Sequence, residues 1–177
     1  MTHRFEARQW IPFPVAQVFA FFANPHNLPL LMPPELKTRI EALRLQPPPS
    51  LPGQPGSLAA GVGTEIVISF CPVPWLPLRV TWVARITQFV WESHFCDEQV
   101  RGPFQRFRHR HGMQPEDREG QPGTLVSDEI EFVLPFGWIG RLGSVLVRRQ
   151  LNGSFRERQD RLPRLLANAA PETQLPR

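Results

Sequence analysis

The feature that most constrains this chain is a change of hydrophobic period at Pro135-Phe-Gly137. Upstream, apolar residues recur in short stretches that tend toward alternation, as strands with one buried face require. Downstream, Leu142, Val145, Leu146, Val147, Leu151, Phe155 and Leu162 fall three or four apart. That spacing predicts one long amphipathic helix from about Ile139 to Leu162. Arg141, Arg148, Arg149, Arg156, Glu157 and Asp160 are expected on its polar face, and Pro163 is expected to end or kink it.

The upstream part resolves into seven strands. His3 to Ile11 reads as the first, with Phe5, Ala7 and Gln9 on one face. Pro12 and Pro14 stop it, and Pro14 suits the first turn of a helix, where its missing N–H costs nothing. Val15, Val18, Phe19 and Phe22 give that helix an apolar stripe. Asn24 is placed to cap a second short helix beginning at Pro25, with Leu28, Leu31 and Met32 as its buried face. The remaining strands are predicted over Leu36–Leu45, Gly63–Phe70, Leu78–Phe89, Trp91–Arg101, Phe104–Met113 and Thr124–Leu134. Short links between consecutive strands favour an antiparallel sheet. Such a sheet cannot bury its apolar face alone, and the long helix is the one element large enough to cover it. The expectation is an α+β fold: a seven-stranded curved antiparallel sheet, two short helices and a long C-terminal helix. A single domain is expected over residues 1–166. The proline-rich stretch 46–62 reads as a mobile loop inserted between two strands, and 167–177 as a frayed tail.

Composition excludes more than it identifies. No apolar run approaches the ~20 residues that span a bilayer, and the first ten residues hold no apolar core of the kind a signal peptide needs. Two cysteines, Cys71 and Cys96, are too few for a disulfide framework, so a cytoplasmic location is expected. The net charge is +4, with Lys37 the only lysine. No phosphate-binding loop, dinucleotide fingerprint, nucleophile elbow or zinc-finger spacing is present.

Strand parity locates the candidate site. Between Phe104 and Met113, Arg106, Arg108 and Arg110 share one face, and Phe107, His109 and His111 share the other. Three arginines in a core would be very costly, so they are expected in water, opposite Glu129 and Glu131, and no nucleic-acid partner is expected. Phe107, His109 and His111 then face the helix. On the next strand Val126, Asp128, Ile130, Phe132 and Leu134 form the inward set. On the preceding strand Phe95, Asp97 and Gln99 share a parity. The result is an inward polar cluster of Asp97, Gln99, His109, His111 and Asp128, walled by Trp82, Phe95, Phe107, Ile130 and Phe132. His109 and His111, two apart on a strand, project together as metal ligands do. Local spacing fixes no third ligand, however, so no metal and no other cofactor is expected. A His–Asp pair at this position suits orientation of a ligand carbonyl or hydroxyl, or proton transfer in a cyclisation or dehydration.

Several motifs carry a resemblance. They are Val18-Phe-x-Phe-Phe22-x-Asn24-Pro25-x-Asn27-Leu28, Phe95-Cys-Asp97-Glu-Gln99-Val-Arg-Gly102-Pro103-Phe104, Phe107-x-His109-x-His111, Gly123-Thr-Leu-Val-x-Asp128 and Leu134-Pro135-Phe-Gly137-x-x-Gly140. In this order they resemble the START/Bet v 1-like (SRPBCC) superfamily, and within it a bacterial polyketide cyclase/dehydrase-like ligand-binding branch. The resemblance implies the helix-grip fold and an internal cavity for a small hydrophobic molecule. It implies no agreed reaction, because the superfamily uses one scaffold for carriers, cyclases and regulators.

Overall fold

The computed structural model describes residues 1–49, 58–73, 76, 78–135 and 137–169, with side chains outside 137–142. The centre of the proline-rich stretch, Trp75, the Trp138 side chain and the tail from 170 onward lie outside the described residues.

The elements follow in the expected order. Strand β1 (His3–Ile11) leads to helix α1 (Val15–Ala23), a 3₁₀ turn over Pro25–Asn27 and the short helix α2 (Leu28–Leu31). A second 3₁₀ turn, Pro34–Leu36, takes up the start of the predicted second strand, so β2 is only Arg39–Arg44. Then come β3 (Glu65–Phe70), β4 (Val80–Val90), β5 (His94–Arg101), β6 (Arg106–Pro115), β7 (Thr124–Val133) and α3 (Gly137–Asn168). The Asn24 side chain accepts from the His26 N–H at 3.1 Å, the cap its position foretold. The strands form one antiparallel sheet in the order β1-β7-β6-β5-β4-β3-β2. Strand β1 thus pairs with β7, which brings the first and last strands together. This is the helix-grip fold, its curved sheet covered by the C-terminal helix.

The register confirms the parity argument. Arg108 lies opposite Glu131 and Arg110 opposite Glu129. Arg110 pairs with Glu129 at 3.6 Å, whereas Arg108 reaches Glu98 at 3.5 Å and Glu131 is held by Arg4 at 2.9 Å. These partly exposed pairs add little stability. Helix α3 lies on the opposite face, where Phe155 packs against Phe5 at 5.0 Å and His109 at 6.0 Å between ring centroids.

Helix α3 departs from expectation in two ways. Val145 and Leu146 point to solvent, 56% and 69% exposed, while Val147, Leu151, Phe155, Leu162 and Leu166 turn inward. The inward stripe is narrower than the run of apolar residues suggested. Of the two outcomes expected at Pro163, termination does not occur: the helix runs past Leu162 to Asn168 and so includes two residues expected in the tail. A proline at 163 cannot donate to the carbonyl of Gln159. That carbonyl instead accepts from the Gln9 side-chain amide of β1 at 2.7 Å. Leu162 and Leu166, both fully buried, hold the helix on the sheet on either side.

The proline-rich stretch is anchored at its described ends. The Gly61 N–H donates to Gln46 O at 2.8 Å, Ala60 N–H to Ala23 O at 2.8 Å, and the Trp91 indole N–H to Pro49 O at 2.9 Å. At the far end of the sheet, Gly123 packs where a Cβ would sit 2.6 Å from both Ile11 O and the Trp10 ring. Gly123→Ala is expected to cost about 1–3 kcal/mol by forcing β1 and the β6–β7 connection apart. A shift in the urea midpoint at unchanged slope is the readout.

Candidate functional site

Between the sheet and α3 lies a cavity of about 400 Å³. Its walls are mostly apolar. Phe22 and Ala23 come from α1, Leu28 and Leu31 from α2, Ile66 and Ile68 from β3, and Trp82, Ala84 and Ile86 from β4. Phe107 and Ile130 complete the sheet side, and Val147, Leu151, Ser154 and Phe155 line the helix side. The alternation of β3 and β4 supplies the small and branched residues that leave room. One corner is polar: Asp97, His109, His111 and Arg158.

Cross-strand register builds that corner. Asp97 lies directly opposite His109, and His111 directly opposite Asp128. The two imidazoles lie tilted against each other with centroids 3.8 Å apart, and Phe95 stacks on His111 at 4.4 Å. Asp128, 1% exposed, is the hub beneath them. His109 Nε2 is 2.9 Å from Asp128 Oδ1. His111 Nδ1 is 3.1 Å from the same oxygen but off the line of a hydrogen bond, so this contact is charge attraction. His111 Nε2 is 3.6 Å from Asp97 Oδ1. From α3, Arg158 reaches down and grips both oxygens of Asp128, with Nη1 donating to Oδ1 at 3.2 Å and Nη2 to Oδ2. Its guanidinium lies 4.4 Å from the Phe155 ring centroid and 5.5 Å from that of Phe22.

Eight of the ten site residues expected from the sequence stand at or beneath this cavity: Trp82, Phe95, Asp97, Phe107, His109, His111 and Ile130 in the wall, Asp128 behind it. Two stand elsewhere. Gln99 shares the parity of Asp97, but its amide clamps the β5–β6 turn, donating to Phe104 O at 2.7 Å and accepting from Phe104 N at 3.3 Å. Phe132 is completely buried between His3 and Phe104, in the core beside the cavity. The residue missed was Arg158. The signal was available: Leu151, Phe155, Arg158 and Leu162 are spaced four, three and four apart. An arginine on the inward stripe of a helix needs a buried acid.

Charge in the corner is finely divided. Burial alone would raise the Asp128 carboxyl, but the Arg158 cation, the hydrogen bond from His109 and the close approach of His111 hold it well below the usual carboxylate range. Burial, followed by the neighbouring His111 charge, lowers His109 despite the pull of Asp128. Burial also works against His111, yet contacts with Asp128 and Asp97 leave its pKa raised. His109 is therefore the neutral imidazole, with its Nε2 proton directed at Asp128, and His111 the one that takes up a proton first.

Linkage gives the pH consequence. A depressed Asp128 contributes stability present above about pH 4, the unfolded value, and lost as pH falls through its lower folded value. His109, also depressed, adds a loss on acidification below about pH 6.5. His111 acts oppositely, its contribution being complete below about pH 6.5 and lost as pH rises through its folded value. Around neutrality the histidines oppose each other, so the acid limb is the resolved feature. Urea unfolding between pH 3 and 8, with chelator present, is expected to show a steep acid loss in wild type and a flattened one in Asp128→Asn.

The curved sheet and its covering helix are the helix-grip architecture, and solved structures agree on that fold. TTHA0849 from Thermus thermophilus superposes with a TM-score of 0.66 at 18% identity, over 96% of this chain and 100% of that one. Norcoclaurine synthase from Thalictrum flavum, solved in complex with dopamine and hydroxybenzaldehyde, gives 0.62 at 13% identity over 97% and 90%. DR_A0006 from Deinococcus radiodurans gives 0.55 at 16% identity over 92% and 95%. No protein-family model matches the sequence, and no curated protein matches it. Among the described residues no helix is long and apolar enough to cross a membrane.

Proposed function

We propose that this chain binds a small hydrophobic molecule in the cavity between sheet and α3, with the polar end of that molecule against Asp97, His109 and His111. The observation that carries this reading is the cavity itself: about 400 Å³ of mostly apolar wall with a single polar corner. That volume lies within the range of small-molecule sites, which bury an apolar body and fix its orientation with few polar groups. A similar fold solved with two small aromatic molecules supports an aromatic ligand.

A second reading, a cyclase- or dehydratase-type enzyme, is favoured by one specific arrangement. His109 is neutral and hydrogen-bonded to an ionised aspartate that Arg158 holds in place. That is a general base with its orienting group. Titration with an environment-sensitive aromatic dye tests the first reading, and saturable binding of one dye per chain is the expected result. His109→Gln separates the two. In a carrier it weakens binding. In an enzyme it leaves binding within about tenfold and cuts turnover by about 10²-fold. A wild-type protein that takes up no dye would remove the first reading.

A further inference from the structure

Local spacing along β6 offers no third metal ligand beside His109 and His111, but the fold supplies one. Asp97 stands directly across from His109 on β5. One ring nitrogen from each histidine and one carboxylate oxygen of Asp97 lie within 4.8 Å of one another. His111 Nε2 and Asp97 Oδ1 are 3.6 Å apart. Two ligands about 2.05 Å from a tetrahedral ion stand about 3.4 Å apart, so this pair already has the required separation.

We propose that Asp97, His109 and His111 form a binding site for one divalent transition-metal ion, with Asp128 as the carboxylate behind both imidazoles. The arrangement around the three ligands is that of a built metal site. Metal-bound histidines characteristically present their second nitrogen to a carboxylate, which fixes the ring and its tautomer. Asp128 does this for His109 through Nε2 at 2.9 Å and stands 3.1 Å from Nδ1 of His111. The nitrogens left for an ion are then His109 Nδ1 and His111 Nε2. Asp128 is itself held by Arg158, so the second layer is rigid.

The charge balance permits an ion. Asp97 and Asp128 carry two negative charges and Arg158 one positive, which leaves one net negative charge around two imidazoles. Two nitrogens and one oxygen suit zinc, iron(II) or cobalt(II) better than calcium or magnesium, which prefer all-oxygen sets. All three ligands line the cavity. Three protein ligands with the next position open is the pattern of metal sites that act on a bound molecule, in contrast to the closed four-ligand structural sites. The open position faces the space where the polar end of the proposed ligand sits. A bound ion would accept a carbonyl, hydroxyl or carboxylate oxygen there. The metal site shares its cavity with the binding reading but not its test.

The experiment is calorimetric titration of tag-free, chelator-stripped protein with Zn²⁺ alone, repeated with Co²⁺ to follow the visible absorption of a coordinated ion. One ion per chain is expected, with a dissociation constant near or below about 1 μM. His111→Gln and Asp97→Asn should each weaken it by about 10²-fold or more. Asp128→Asn should weaken it by about 10–100-fold, as loss of an outer carboxylate does. His26→Gln, on an exposed turn, should leave it unchanged. Circular dichroism of each variant checks folding. Asp97→Asn keeps the proposal testable if a histidine variant fails to fold, because Asp97 is the most accessible of the three ligands. Weak binding of several ions, or one-to-one binding indifferent to His111→Gln and Asp97→Asn, would overturn it. Dye binding in the presence of chelator reads the cavity separately: if it persists while Zn²⁺ fails to bind, the metal site is wrong and the binding reading stands.

Discussion

Asp128→Ala is expected to destabilise the protein by about 3–5 kcal/mol, far more than a typical surface change. The substitution strands the Arg158 guanidinium in a site where the residue is 6% exposed. It also removes the acceptor of His109 and the counter-charge of His111. Breaking one side of a buried ion pair costs this much because the remaining charge has neither partner nor water. Arg158→Met is expected to fall in the same range for the converse reason. The pair need not be net stabilising, however. Replacing both with apolar residues, Asp128→Leu with Arg158→Met, should recover the part of the loss due to the stranded Arg158 charge, while the part due to the lost partner of His109 and His111 remains. A urea double-mutant cycle measures this. Single variants that each cost less than about 1 kcal/mol would show that the pair is solvated and not buried as described.

That cluster also marks how far the sequence could be read. The three arginines of β6 decided the parity of the strand, because no core accommodates them. His109 and His111 followed on the opposite face, and Asp97 and Asp128 came from the same alternation on neighbouring strands. What alternation cannot show is whether an inward side chain meets a void, a neighbour or its own turn. Gln99 points the same way as Asp97, but it sits next to the Gly102-Pro103 turn and spends both ends of its amide on Phe104. Phe132 points inward as expected, but under the core packing of Phe104 and His3, clear of the cavity. Arg158 falls on the inward stripe of α3, but an isolated arginine there is legible only once its buried partner Asp128, on another element, is known. Where Pro163 leaves the Gln159 carbonyl free, the Gln9 side chain, 150 residues from Gln159 in sequence, donates to it, which no local pattern reveals.

The second large effect concerns the cavity. Ser154 lies on α3, half-buried, in the wall facing the sheet. Ser154→Trp places an indole in the space from the helix side, one turn before Arg158. The expected result is loss of dye affinity by about 10²-fold or more. The melting temperature should stay within a few degrees of wild type, because the void accepts the ring. Phe132→Arg would be a poor substitute: Phe132 is core, so that change would unfold the protein and report nothing about binding. A Ser154→Trp protein that is folded and binds dye as wild type does would place the dye outside this cavity.

The most direct test of the binding reading is native mass spectrometry of wild type and Ser154→Trp purified side by side without added ligand. A single co-purified small organic molecule is expected on wild type, released on denaturation, and absent from the folded variant. The same molecule retained by both proteins would contradict ligand binding in this cavity.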